Sequence, residues 1–138
     1  MPSFINCIVH KYNKTDAPKV VTAQDIYQQL QDIKNADREI FIAFHMNTKM
    51  RVIAREIITI GTLNASLVHP RSVFRTAVTN NTYALILAHN HPSGDPTPSP
   101  EDKNVYNQLK QAGDILGIKI LDMIIAGDKT YHSIQEGC

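Results

Sequence analysis

Apolar residues recur along this chain with two rhythms, one helical and one extended, and together they predict most of its elements. Ile26, Leu30 and Ile33 fall on one stripe after Thr22, a good first cap, which predicts a helix over 23–34. EIFIAFHM (39–46) and RVIAREIITI (51–60) read as strands joined by the polar stretch Asn47 to Met50. His69-Pro70 introduces a helix over 71–79 that Asn80-Asn81 closes. YALILA (83–88) is a continuous apolar run, the mark of a strand covered on both faces. Val105, Leu109, Ala112 and Leu116 then repeat at helical spacing between Ser99 and a stop at Gly117. IKILDMIIA (118–126) and TYHSI (130–134) complete the strands, and Phe4 to Val9 reads as a short first one. Helices interleaved with apolar strands predict a mixed sheet covered by helices, an α/β sandwich.

Composition narrows the class. The 138 residues, 43% hydrophobic and 20% charged, suit one soluble domain, 1–138, with its own core. A net charge of +1 creates no overall field to attract nucleic acid or an anionic membrane. Cys7 and Cys138 form neither a CxxC pair nor a disulfide framework, as expected in a reducing cytoplasm. The first residues have no leader pattern, and no window approaches the roughly 20 apolar residues of a membrane helix. The expectation is a cytoplasmic protein without a membrane partner.

The candidate chemistry lies in LAHNHPSGDPTPSPED (87–102). On an extended chain, residues two apart project to the same side, so His89 and His91 point together past the end of a central strand. That edge of an α/β sheet is where ligands usually bind. Pro92, Pro96, Pro98 and Pro100 restrict the following loop. Ser99-Pro100-Glu101-Asp102 then supplies the cap and first turn of a helix, with Asp102 in the position of a capping-box acid. Two readings of Asp102 stand side by side: helix cap, or third ligand beside two imidazoles. Three protein ligands would leave a fourth tetrahedral position for water, the catalytic arrangement for zinc.

HNHPSGDPTPSPED resembles the JAMM metallopeptidase motif, HxH, seven residues, Ser, two residues, Asp, with His89, His91, Ser99 and Asp102 at its fixed positions. GTLNASLVHPR (61–71) and ILGIKILD (115–122) are similar to the RadC branch of that family, and the likeness runs from about residue 22 to residue 136. The resemblance implies a three-layer α/β/α sandwich of the JAMM/MPN type, similar to the cytidine-deaminase fold. It also implies one Zn2+ held by His89, His91 and Asp102, and hydrolysis of amide bonds in a protein or peptide substrate. RadC-like proteins carry a DNA-repair label that no residue here supports independently. They usually also have an N-terminal helix-hairpin-helix region, for which 138 residues leave no room, and this argues against DNA binding. Asp122-Met123 departs from the family, where a His commonly follows the Asp.

Water activated at zinc needs a proton acceptor. The carboxylates available are Glu39, Glu56, Asp95, Glu101, Asp122 and Asp128. Glu56 stands out by parity, since a regular strand sets it on one face with Val52, Ala54, Ile58 and Ile60, all apolar. A buried carboxylate needs a partner, and a catalytic centre would provide one. Its place in the strand upstream of HxH also resembles that of the family's glutamate. The alternative is an edge-strand Glu paired with Arg55 or reaching water. Ser99 is by resemblance an oxyanion donor and by position a cap. His10, His45, His69 and His132 have no partners at ligand spacing and read as surface or satisfied core, and Ser93 belongs to the turn after His91.

Two rivals accompany the hydrolase reading. Deamination expects a PCxxC zinc motif, which a chain with cysteines only at 7 and 138 lacks. A non-catalytic, zinc-containing module binding protein or DNA in a repair-associated role would keep the ligands without the turnover.

Overall fold

A computed structural model describes residues 9–136. Nine elements follow in order: β1 (Val9–Lys11), α1 (Ala23–Gln28), β2 (Ile40–Met46), β3 (Val52–Ile60), α2 (Pro70–Thr79), β4 (Ala84–Asn90), α3 (Pro100–Leu116), β5 (Lys119–Ala126) and β6 (Tyr131–Ser133). Of the strand expected over 4–9, only Val9 lies among the described residues, and it opens β1.

The strands form a six-stranded sheet in the order β1-β3-β2-β4-β5-β6. Only β4 and β5 run parallel, joined through α3, while the other neighbours are antiparallel. β2 and β4 occupy the middle, and every residue of both is buried, as a strand covered on two faces requires. One face packs Ile42, Phe44, Ile86 and Ala88 against Ile26, Leu30 and Ile33. The other packs Phe41, Ala43, Leu85 and Leu87 against Phe74 and Ala77 of α2 and Val105 and Leu109 of α3. Three layers, α/β/α, result. Each fully buried Leu, Ile or Phe contributes roughly 1.5–3 kcal/mol of hydrophobic stabilisation, so these two clusters dominate the fold's energetics.

The first helix is shorter than its apolar stripe. α1 ends at Gln28, and the chain continues to residue 35 in turns. Gln29, Leu30 and Ile33 donate to carbonyls three residues back rather than four. The tighter winding keeps Leu30 and Ile33 fully buried, so the periodicity marked the buried face correctly but not the hydrogen-bond pattern.

β3 departs from regularity in a way that affects a candidate site residue. Its pairing with β2 shifts register between His45 and Met46 and again between Phe41 and Ile42. Each shift inserts one extra β3 residue, Ile53 and then Ile58, and each reverses which face the following residues present. Val52 therefore packs with the α1 layer, whereas Glu56, opposite Ala43, faces the layer of α2 and α3. The expectation that Val52, Ala54, Glu56, Ile58 and Ile60 share one face is corrected by these bulges. Arg55 points the other way, toward α1, where its guanidinium bonds Asp32 at 2.7 and 3.2 Å and the Gln29 carbonyl at 3.0 Å. It is no partner for Glu56. Nor is β3 an edge strand, since β1 lies outside it.

Candidate metal centre

His89 is the next-to-last residue of β4, opposite Phe41 of β2, and projects to the α2/α3 face. His91 follows the strand end, and the two rings approach to 4.9 Å between centroids. Beyond them Gly94, at φ +88, makes a turn that L side chains rarely adopt. Its carbonyl accepts the Asp128 N–H at 3.0 Å, seating the loop on the β5–β6 connection. Asp95 holds Thr97 through its N–H at 3.0 Å and its hydroxyl at 2.7 Å, and Ser93 Oγ accepts the Asp95 N–H at 3.3 Å. The loop thus arrives at Ser99 already constrained.

Ser99 and Asp102 form a complete capping box. Asp102 N–H donates to Ser99 Oγ at 3.1 Å, and Ser99 N–H donates to Asp102 Oδ2 at 2.7 Å. The same carboxylate meets both histidines: Oδ2 lies 3.0 Å from His91 Nε2, and Oδ1 lies 2.9 Å from His89 Nε2. Capping and convergence on the imidazoles are therefore simultaneous. Ligand atoms of His89, His91 and Asp102 all fall within 4.8 Å of one another, the separation a single metal ion can bridge.

The donor chemistry fits a divalent metal. His91 Nδ1 faces the Asp95 carbonyl at 2.8 Å and His89 Nδ1 faces the Asn90 carbonyl at 3.3 Å. A carbonyl only accepts, so each Nδ1 carries the hydrogen and each Nε2 is turned toward the carboxylate, the usual second-shell arrangement of ligating histidines. His89 Nε2 is buried and, despite its closeness to Asp102, makes no hydrogen bond. An unsatisfied buried nitrogen is costly, and a cation shared with Asp102 would remove that cost. Burial pushes the Asp102 carboxyl up, but its contacts with His89 and His91 and the Ser99 N–H outweigh this and hold it well below the usual carboxylate range. The bond to Asp102 raises His91 above 6.5, burial opposes it, and the charge of Glu39 adds to the rise.

Glu39, one of the six candidate acids, lies near this group, close enough for its charge to act on His91. Phe41 pairs with His89 at the end of the β2–β4 ladder, and Glu39 lies two residues before Phe41 on the side of the same face. Its Oε2 accepts the Leu63 N–H at 2.7 Å. It was one acid among six in the sequence, because nothing in EIFIAFHM says which strand will lie beside it. Glu56 is placed otherwise. Its carboxylate takes the Thr76 hydroxyl at 3.0 Å and lies 3.3 Å from His45 Nε2, while His45 Nδ1 lies 3.0 Å from the Thr82 hydroxyl. His45 pairs with Leu85 and His89 with Phe41, so this cluster and the candidate centre sit toward opposite ends of the central strands. The reading of His45 as a satisfied core histidine fits these contacts.

Among the described residues, no helix is long and apolar enough to cross a membrane. A family model described as the RadC-like JAB domain matches residues 20–138. A UPF0758 protein of Desulforamulus reducens is 51% identical over 106 residues, 77% of this chain and 47% of the relative. One of Shouchella clausii is 43% identical over 129 residues, 93% of this chain and 56% of the relative. One of Thermotoga maritima is 41% identical over 128 residues, 93% and 58% respectively. The chain spans about half the length of these curated relatives. With the fold, the metal-capable triad and this match in agreement, the chain belongs to the RadC-like JAB domain family.

Proposed function

We propose that the protein is a zinc-dependent hydrolase of amide bonds, a peptidase or isopeptidase acting on a protein or peptide chain. The observation that supports this best is the convergence of His89, His91 and Asp102 on one point, with the charge of Glu39 acting on His91. Zinc held by those three side chains would supply a Lewis acid for an amide carbonyl and lower the pKa of water. The chain's own groups do the remaining work. Glu39 accepts a proton from the attacking water and returns it to the leaving amine, a role that the action of its charge on His91 supports over Glu56, the candidate preferred from sequence. Ser99 Oγ accepts from Asp102 N–H, which leaves its own O–H free to donate to a developing oxyanion. A groove of about 600 Å³ beside the approach to Ser99, lined by Thr97, Pro98, Lys103, Lys110 and His132, offers room for an extended chain.

The alternative, a non-catalytic zinc-containing module that binds protein or DNA in a repair-associated role, draws support from the same triad, because Asp102 also ties α3 to the end of β4. One experiment separates them: a cleavage screen of peptides and ubiquitin-like conjugates with zinc-loaded wild type, Glu39→Gln and Glu56→Gln. The hydrolase reading expects wild-type cleavage, a loss on the order of 100-fold or more in Glu39→Gln, and most activity kept in Glu56→Gln. The reverse ranking would return the base role to Glu56. A zinc-loaded wild type that cleaves nothing would favour the interaction module.

A further inference from the structure

The residue between the two histidines offers no ligand to a metal, yet Asn90 is completely buried. Strand alternation turns its side chain away from His89 and His91, toward the face covered by α1. There its Oδ1 accepts the Ile40 N–H at 2.7 Å. Its Nδ2 donates to the Arg38 carbonyl at 2.9 Å and the Ala36 carbonyl at 3.4 Å. The pairing of β2 with β4 reaches Phe41 and His89, and beyond that pair the carboxamide takes the place of the ladder. Only an amide side chain brings both an acceptor and two donors to such a position.

What the three bonds close upon is the approach to β2, residues 36–40, which carries Glu39. Glu39 is held from its other side by the GTL segment: its carbonyl accepts the Gly61 N–H at 2.8 Å, and its Oε2 accepts the Leu63 N–H at 2.7 Å. Asn90 makes no bond to Leu63 or to the Glu39 carboxylate. Its bonds go to the backbone on either side of Glu39, at Arg38 and Ile40.

We infer that Asn90 is a positioning residue for Glu39, its carboxamide clamping the 36–40 segment to the end of β4 so that the Glu39 carboxylate keeps its place near His91. The inference rests on Glu39 as the proton carrier, but its test needs no turnover. The HNH motif therefore presents its two imidazoles on one face of the sheet and holds the acid's backbone from the other.

The Leu63 amide reports the arrangement, because its partner is the Glu39 carboxylate. Amide hydrogen exchange and proton shifts are measured by NMR on the full chain for wild type, Glu39→Gln, Asn90→Ala and Asn90→Asp, and cobalt(II) is used as an optical probe of the ligands. In Asn90→Ala the Leu63 amide is expected to exchange about tenfold faster or more, and its resonance to move toward that of Glu39→Gln. Protection of Phe44 and Leu87 in mid-strand and the cobalt(II) spectrum should stay at wild-type values. Asn90→Asp keeps the acceptor for Ile40 but lacks both donors, so a smaller Leu63 effect is expected, and this variant carries the test if Asn90→Ala does not fold. Unchanged Leu63 exchange would overturn the inference. So would losses of equal size at Phe44 and Leu87, or loss of the cobalt(II) spectrum, since Asn90 would then support the whole sheet or the ligands instead. Failure of Glu39→Gln to impair cleavage would remove the proton-carrier reading while leaving the Leu63 result intact.

Discussion

Two clusters on one face of this sheet are built from the same materials, histidine and a buried carboxylate, and they behave differently. Around Glu56, each carboxylate oxygen has a neighbour of its own, Thr76 or His45, and His45 spends its second nitrogen on Thr82. Around Asp102, both imidazoles direct Nε2 at one carboxylate, and the buried His89 Nε2 makes no hydrogen bond. The difference lies in satisfaction rather than in burial or residue type. Buried polar groups that complete one another's hydrogen bonds stabilise a core, whereas side-chain atoms that converge on one point without doing so are able to hold a cation.

The comparison is broken most directly by removing ligands. Wild type should bind about one zinc per chain, the tetrahedral three-ligand arrangement. The His89→Ala/His91→Ala variant should bind none by metal analysis of the dialysed protein, and full occupancy in that variant would dissolve the distinction between the clusters. A His45→Ala variant should keep its zinc.

Next in size is the effect of pH on metal affinity. His91 has its pKa raised above 6.5 by Asp102, so its proton competes with metal at higher pH than an ordinary imidazole would. As pH falls below that raised value, affinity should drop by about tenfold per pH unit for one displaced proton, measured by chelator competition. A flat response between about pH 8 and about pH 6, across the imidazole range, would show that His91 does not ligate.

Smaller, and confined to stability, is the cost of opening the other cluster. Glu56→Ala leaves Thr76 and His45 without their shared partner and should destabilise by about 1–3 kcal/mol in denaturant titration, with zinc stoichiometry unchanged. Zinc loss in proportion to destabilisation would mean the two clusters are coupled. The smallest effect is expected for Ser99→Ala, which removes the cap of α3 at about 1 kcal/mol. If Ser99 also donates to an oxyanion, cleavage falls further than stability does.

The HNH segment was legible because its information is local. Strand alternation aims His89 and His91 together, and the Ser99 to Asp102 spacing is that of a capping box, so three residues able to hold a metal could be named without knowing any long-range contact. The layers were legible for a similar reason, since α2, α3 and the central strands carry strong periodicity. The one-face parity argument for Glu56 assumes a regular strand, and the bulges at Ile53 and Ile58 are set by how β3 fits β2.

By itself, then, the sequence determined which segments extend or coil, which faces are apolar, and which residues could hold a metal. Tertiary structure decided which acid's charge acts on His91. Glu39 and His91 are 52 positions apart, and only antiparallel pairing of β2 with β4, in a register that the Asn90 carboxamide extends, brings them near each other. Strand register is a property of two segments together, fixed by packing both faces of the sheet at once, and no single stretch of the chain encodes it.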